Sequence, residues 1–222
     1  MSFKETAYTL LFQNDSLLVV DKAPGVSIHN AEGGQFLTQI LEKDLRISKL
    51  FPIHRLDKET SGVQIYAKTQ STAKQLAKEF QDRSVQKIYH GVTRGPLSPS
   101  EGQWHWPLTD RAEGQKNPQG LSKERVPCAT LYKVLETSKY FSFCEFELIT
   151  GRQHQIRKHC VLAKHHLVGD SRYGDPSYNQ KIFEIYNTNR MFLHCSSVKI
   201  ANHLFSCPVP FVFKKLLNPM IK

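Results

Sequence analysis

A chain of 222 residues with 40% hydrophobic side chains is large enough for one generous domain or two small ones, which excludes an intrinsically disordered protein. Thirty lysines and arginines against twenty aspartates and glutamates give a formal charge of +10, which favours a polyanionic partner. The sequence has no apolar run near the roughly 18 residues that a membrane span needs, and no apolar signal core at its start. We therefore expect a cytoplasmic protein with no membrane partner.

The apolar patterns predict a mixed set of strands and helices. In chain order they predict a strand at 17–20, a strand at 63–67, a helix at 71–82, a strand at 88–93, strands at 129–135 and 141–149, a helix at 154–164, a helix near 178–186 and a strand near 191–200. The strands at 129–135 and 141–149 are close enough in sequence to form a hairpin. Residues 95–119, rich in Pro, Gly and Ser, predict a long exposed irregular segment.

The helix at 71–82 shows the clearest helical period. Its apolar residues Ala73, Leu76, Ala77 and Phe80 recur at i, i+3, i+4 and i+7, with charged residues on the other face. This pattern is typical of an amphipathic helix that packs on a sheet.

The five cysteines are widely separated and never form a C-x-x-C pair, so the sequence predicts no disulfide framework. Cysteines and histidines come close at His159-Cys160 and at His194-Cys195, but their spacing matches no usual zinc-ligand pattern. We therefore predict no bound metal.

A polar loop precedes the strand at 63–67 and carries Arg55 and Asp57. Two residues apart in an extended loop, their side chains can point the same way, and the following strand can hold them fixed. A carboxylate and a guanidinium directed into one space indicate chemistry on a polar, anionic substrate.

Two further polar segments lie later in the chain. Residues 86–90 begin a strand with Tyr89, whose flat ring can stack on a base. Residues 151–159 open a helix on which the spacing predicts His154 and Arg157 on one face. A buried Arg157 needs an acidic partner. If that partner is Asp57, the guanidinium favours the ionised carboxylate, which can act as a nucleophile or a base.

These segments together resemble the RluA family of pseudouridine synthases. The resemblance rests on Asp-Lys-Ala-Pro-Gly at 21–25, His-Arg-Leu-Asp-Lys-Glu-Thr-Ser-Gly at 54–62, Lys-Ile-Tyr at 87–89, Gly-Arg-Gln-His-Gln-Ile-Arg at 151–157 and Gly-Asp-Ser-Arg-Tyr-Gly at 169–174. The segments follow the family's order over most of the chain.

The resemblance implies an α+β fold, with a mixed, largely antiparallel sheet flanked by helices and a basic cleft between two lobes. It implies that residues 1–222 form a single pseudouridine synthase catalytic domain with no N-terminal S4 domain. The implied activity needs no cofactor: the enzyme breaks the N1–C1′ bond of a uridine, turns the base and rejoins it through C5. The implied partner is RNA, in a ribosomal or transfer RNA stem-loop, and we expect no DNA binding and a monomer.

The resemblance also implies roles for single residues. Asp57 would be the catalytic carboxylate at C1′ or C2′, Tyr89 would stack on the uracil, and Arg157 would pair with Asp57. Arg55 would fill the space that the flipped nucleotide leaves, next to His54 in the same motif. Leu193 and Ile156 would line the base pocket.

Two departures from the family pattern concern other positions. Asp21 stands where the family commonly has Asn, and residues 202–208 lack the usual His-Pro pair. Two other functions stay open: a non-catalytic RNA-binding assembly factor or chaperone on the same fold, and a metal-dependent nuclease that uses the histidines between 154 and 166.

Overall fold

The structure is a computed structural model that describes residues 6–29, 35–82, 84–112 and 114–218. Its strands are β1 (Tyr8–Gln13), β2 (Leu17–Lys22), β3 (Phe51–Pro52), β4 (Ser61–Ala67), β5 (Gln86–Arg94), β6 (Glu101–Trp104), β7 (Thr130–Thr137), β8 (Phe141–Leu148), β9 (Leu193–Ile200) and β10 (His203–Ser206). Its helices are α1 (Leu37–Asp44), α2 (Gln70–Gln81), α3 (Gln155–Leu162), α4 (Pro176–Tyr186) and α5 (Val212–Leu217).

The chain forms two compact units. The first unit comprises Met1–Lys87 and Cys195–Pro208, and the second comprises Ile88–His194 and Val209–Lys222. The chain passes between the units within β5, within β9 and again after Pro208, so each unit takes part of β5 and of β9.

The first unit is built on the strand order β1-β2-β4-β9, with β3 beside β4 and β10 beside β9. The pairs β1–β2, β2–β4, β3–β4 and β9–β10 are antiparallel. All seven residues of β4 are buried, which makes this strand the centre of the unit. The loop between β3 and β4 carries Asp57, so this loop is anchored at one end to the best-buried strand.

Helix α2 covers the first unit's sheet as the periodicity predicts. Thr69 caps its first turn by accepting a hydrogen bond from the amide of Thr72 at 3.2 Å. Leu76 is buried and Phe80 is partly buried, whereas Ala77 is exposed, so the apolar face is narrower than the sequence pattern predicts.

The second unit is built on the antiparallel order β5-β8-β7-β6, with α3, α4 and α5 in the same unit. One apolar cluster joins its strands to α4 and α5, and its buried members are Val92, Phe141, Phe143, Val168, Ile182, Phe192, Phe213, Leu216 and Leu217. This cluster holds the ends of β5 and β8 and the segment around Val168, which lies beside the loop 169–174.

The structure confirms the predicted α+β class, the largely antiparallel sheet, which has ten strands in the described part of the chain, and the β7–β8 hairpin. The interpretation of residues 95–119 as irregular throughout was wrong, because this segment contains β6, which pairs with β7 from Glu101↔Lys133 to Trp104↔Thr130. None of the helices in the described ranges combines the length and the apolar character that crossing a bilayer requires.

Candidate active site

The loop that carries Asp57 is tied to the turn after β2 by a buried lysine. The Nζ atom of Lys22 donates to the carbonyl oxygens of Ala23 and Val26, both at 2.9 Å, and of Lys58 at 3.1 Å. The amide of Gly25 donates to the same Lys58 oxygen at 2.8 Å. Lys22 is fully buried, and three carbonyl dipoles replace the water that its ammonium loses. The backbone next to Asp57 is therefore fixed, while the Asp57 side chain is only partly buried.

His54 fixes the beginning of the same loop on β4. Its Nε2 atom accepts a hydrogen bond from the amide of Ile65 at 3.2 Å, so the ring is neutral with its proton on Nδ1. The ring stacks on Phe80 with centroids 5.7 Å apart. Burial lowers the pKa of His54 to about 3, and the charge of Lys87 adds to the effect. A substrate contact by His54 stays a prediction.

The protein should lose stability as the pH falls from about 6.5 towards 3. In this range His54 is protonated in the unfolded chain but stays neutral in the folded protein, so unfolding is favoured. His54→Gln removes this titration and should flatten the dependence. His203→Gln, at an exposed histidine of β10, should leave it unchanged. Urea unfolding at several pH values measures the slopes. Equal slopes for both variants would contradict a His54 that stays neutral in the folded protein. Burial also lowers the pKa of His159, to about 4, so part of the slope remains in either variant.

Arg55 lies exposed in the same loop, and its insertion into an RNA stack stays a prediction. Its Nη1 atom is 3.0 Å from Nε2 of His29. Because a guanidinium only donates, this His29 nitrogen accepts and the ring is neutral. Burial, together with the charge of Arg55, lowers the pKa of His29. The sequence reasoning did not foresee His29, which lies outside the motifs that carry the resemblance.

The remaining predicted residues belong to the second unit. Tyr89 lies on β5 opposite Phe146 and is 7% exposed, while Ile156 on α3 and Leu193 at the start of β9 are buried. All three are thus held by regular elements. Their contacts with a uracil ring stay predictions.

Arg157 has the acidic partner that its burial requires, and that partner is Asp170. Nε and Nη2 of Arg157 donate to the two carboxylate oxygens of Asp170, each at 2.8 Å. Burial by itself would raise the pKa of Asp170, but the hydrogen bonds and charge of Arg157, with the amides of Tyr173 and Arg172, lower it overall. The motif 169–174 contains Asp170, yet the sequence reasoning gave it no role. The proposed pairing of Arg157 with Asp57 stays a prediction.

The backbone before α3 differs from the expected helix. The helix begins at Gln155, and His154 has a left-handed φ of 56°, so His154 does not share a helix face with Arg157. Its Nδ1 atom is 3.0 Å from the hydroxyl of Tyr173. A non-glycine residue held in this backbone region marks a strained, well-supported turn.

The histidines behind the nuclease interpretation are used for structure. His159 is fully buried, with Nδ1 2.9 Å from Oγ1 of Thr130 and Nε2 3.0 Å from the carbonyl oxygen of Trp106. His165 and His166 donate from Nδ1 to the carbonyl oxygens of Arg94 and Tyr173. Because both nitrogens of His159 contact protein oxygens, these histidines do not form a shared ligand set.

The chain is similar to known proteins of one family. A family model described as RNA pseudouridylate synthase matches residues 16–161. The tRNA pseudouridine synthase C of Vibrio vulnificus is 30% identical over 214 residues, which cover 87% of this chain and 84% of that protein. The ribosomal large subunit pseudouridine synthase C of Escherichia coli is 30% identical over 202 residues, covering 88% of this chain but 63% of that protein.

Solved structures with the same fold include two human proteins. Human RNA pseudouridylate synthase domain containing 4 has a TM-score of 0.77 at 24% identity and covers 92% of this chain and 90% of its own. Human RNA pseudouridylate synthase domain containing 1 has a TM-score of 0.76 at 24% identity, with coverage of 96% and 86%. These likenesses concern the fold, and they agree with the α+β architecture described above.

Proposed function

We propose, since this chain belongs to the RNA pseudouridylate synthase family and to the RluA group within it, that it isomerises uridine to pseudouridine in structured RNA. One observation carries the proposal: the family match over residues 16–161 contains the loop of Asp57, the strand of Tyr89 and Arg157 itself. A relative named for a transfer RNA and one named for the large ribosomal subunit support both RNA classes as substrates.

The proposed reaction centres on Asp57. Its carboxylate acts at C1′ or C2′ of the ribose while the N1–C1′ bond breaks. The base then turns, C5 bonds to C1′, and the proton on C5 is lost while N1 gains one. Atoms and electrons balance without an oxidant, a reductant or a group donor, so the proposal includes no cofactor.

The other predicted residues receive roles around this carboxylate. Tyr89 stacks on the uracil and takes part in proton transfer, and Arg157 pairs with Asp57. A reaction at C1′ requires an extruded nucleotide, which costs a few kcal/mol that Arg55 offsets by filling the vacated stack. Ile156 and Leu193 supply apolar walls for the base, and His54 supports the loop from which Arg55 extends.

Positive charge supports RNA as the partner. The second unit has 17 lysines and arginines against 10 aspartates and glutamates, a surplus of seven from the overall +10. The exposed lysines proposed to contact phosphates independently of sequence are Lys74, Lys78, Lys123, Lys164 and Lys181.

A cytoplasmic monomer without a DNA partner completes the proposal. All five cysteines are free and buried, which suits a reducing compartment. Gel filtration with light scattering, at several protein concentrations, tests the monomer.

We expect the purified protein, without added metal or nucleotide, to form pseudouridine at one or a few positions of unmodified ribosomal or transfer RNA. Sequencing-based pseudouridine mapping, on RNA incubated with the protein and on RNA from cells with and without it, identifies the positions. RNA binding without any new pseudouridine in either experiment would overturn the proposal and favour a binding factor on the same fold.

A further inference from the structure

We propose that Asp170 is a positioning residue of the active site, which fixes the guanidinium plane of Arg157 and balances its charge. The inference rests on the proposed function for the role of Arg157 in the reaction. It goes further by naming the group through which Arg157 is controlled, a group that lies outside the reacting centre.

The Arg157–Asp170 contact has the geometry of a fixed support. Both side chains are 1% exposed, and two parallel hydrogen bonds of 2.8 Å align the carboxylate with the guanidinium. Such a bidentate pair defines the plane and rotation of the guanidinium, whereas one hydrogen bond would leave it free to turn.

Asp170 is itself held by four further hydrogen bonds, which limit its movement with Arg157. Its Oδ1 atom accepts the amides of Arg172 at 3.0 Å and Tyr173 at 2.9 Å. Its carbonyl oxygen accepts from the amide of Gly174 and from Nδ2 of Asn179 on α4, both at 2.9 Å. The carboxylate is thus anchored to its own loop, and the main chain of Asp170 is anchored to α4 through Asn179.

Tyr173 extends the support to the start of α3. Its ring lies under the guanidinium, with the Arg157 carbon Cζ 5.2 Å from the ring centroid, and its hydroxyl is 3.0 Å from Nδ1 of His154. The strained backbone at His154 and the position of Arg157 therefore depend on the same loop.

The carboxylate of Asp170 neutralises the positive charge of Arg157. A buried guanidinium matched by a buried carboxylate contributes donors in a defined direction and little net charge. Arg157 therefore acts on its reaction partners mainly through the direction of its N–H groups. Within the described residues, the charged or titratable side chains that act on the Asp170 carboxylate are the Arg157 guanidinium and the buried Cys160 thiol, both on α3, while Arg172 and Tyr173 contribute their main-chain amides.

The test replaces Asp170 with asparagine, which keeps the shape and removes the charge. We expect kcat on RNA to fall on the order of 10- to 100-fold with KM within about threefold, because Arg157 is misaligned. We also expect the acid limb of the pH–rate profile to move to lower pH, because an unbalanced cation now lies in the site. Glu184→Gln, an equal charge change at an exposed position of α4, is the control and should alter neither quantity.

A support role limited to folding predicts another pattern. It would leave the pH–rate profile of Asp170→Asn unchanged and lower only the fraction of active protein, measured by the stoichiometry of RNA binding. That result, or wild-type kcat in the variant, would overturn the inference.

A second measurement does not need activity, so it separates this inference from the proposed function. Because the pKa of Asp170 is lowered in the folded protein, its contribution to stability is complete above about pH 4 and is lost as the pH falls below that value. Urea unfolding should show a smaller acid loss in Asp170→Asn than in the wild-type protein. Equal losses of stability in the two proteins would contradict the inference that Asp170 balances the charge of Arg157. If wild-type protein forms no pseudouridine, the proposed function fails, and this measurement still decides the balance.

Discussion

Asp57→Asn should abolish pseudouridine formation, by at least about 1,000-fold, while RNA binding stays within a few-fold of wild type. The amide keeps the shape of the carboxylate but has no anionic oxygen with which to act at the ribose. The loop itself should stay in place, because Lys22, Gly25 and Thr60 hold its backbone by donating to the main-chain carbonyl oxygens of Asp57 and Lys58. Release of tritium from C5-labelled uridine in a single-turnover assay measures the loss.

Asp15→Asn is the matched control. Asp15 is an exposed carboxylate in the turn between β1 and β2, so its replacement makes the same charge change in the same unit without touching the Asp57 loop. Its turnover should equal wild type. Normal turnover by Asp57→Asn would remove Asp57 from the mechanism. Loss of RNA binding together with activity in this variant would make Asp57 a binding residue instead.

The elements predicted best from sequence are those with a long or strongly patterned apolar period. Helix α2 follows from its apolar period of 3.6, and the β7–β8 hairpin follows from two neighbouring runs rich in aromatic and β-branched residues. Strand β6 is four residues long, and only its pairing with β7 distinguishes it from the surrounding Pro- and Gly-rich segment. Pairing is a tertiary property, so local pattern could not reveal it.

In the candidate site, too, some features follow from the sequence and others depend on the tertiary structure. The requirement for an acid beside a buried Arg157 follows from the cost of burying an unpaired charge. The identity of Asp170 does not follow, because the path of the chain between α3 and the loop 169–174 decides it. Lys22 shows the opposite failure: a lysine is normally read as a solvated charge, and here it is fully buried on three carbonyl oxygens.

The position of the Asp57 loop also depends on Gly62, at the start of β4 directly after the loop. Replacing this glycine should have the second large effect, on the stability of the fold. Gly62 has a φ of 117°, and a Cβ atom there would lie 2.6 Å from the backbone nitrogen of Cys195 and nearer still to its carbonyl oxygen. Backbone atoms of the neighbouring strand β9 cannot rotate away as a side-chain end can. We therefore expect Gly62→Ala to lower the free energy of unfolding by more than about 3 kcal/mol, because β4 and β9 must separate.

Gly25→Ala is the control that measures the cost of a positive φ without a steric clash. Gly25 also has a positive φ, 82°, but nothing lies within 4 Å of the added Cβ, so we expect a loss of about 1 to 2 kcal/mol. Urea unfolding followed by far-ultraviolet circular dichroism measures both. Similar losses in the two variants would show that the conformation, and not the approach of β9, requires the glycine at position 62. A much larger loss in Gly62→Ala, with catalysis failing before the fold does, would show that the contact between these strands holds the Asp57 loop in place.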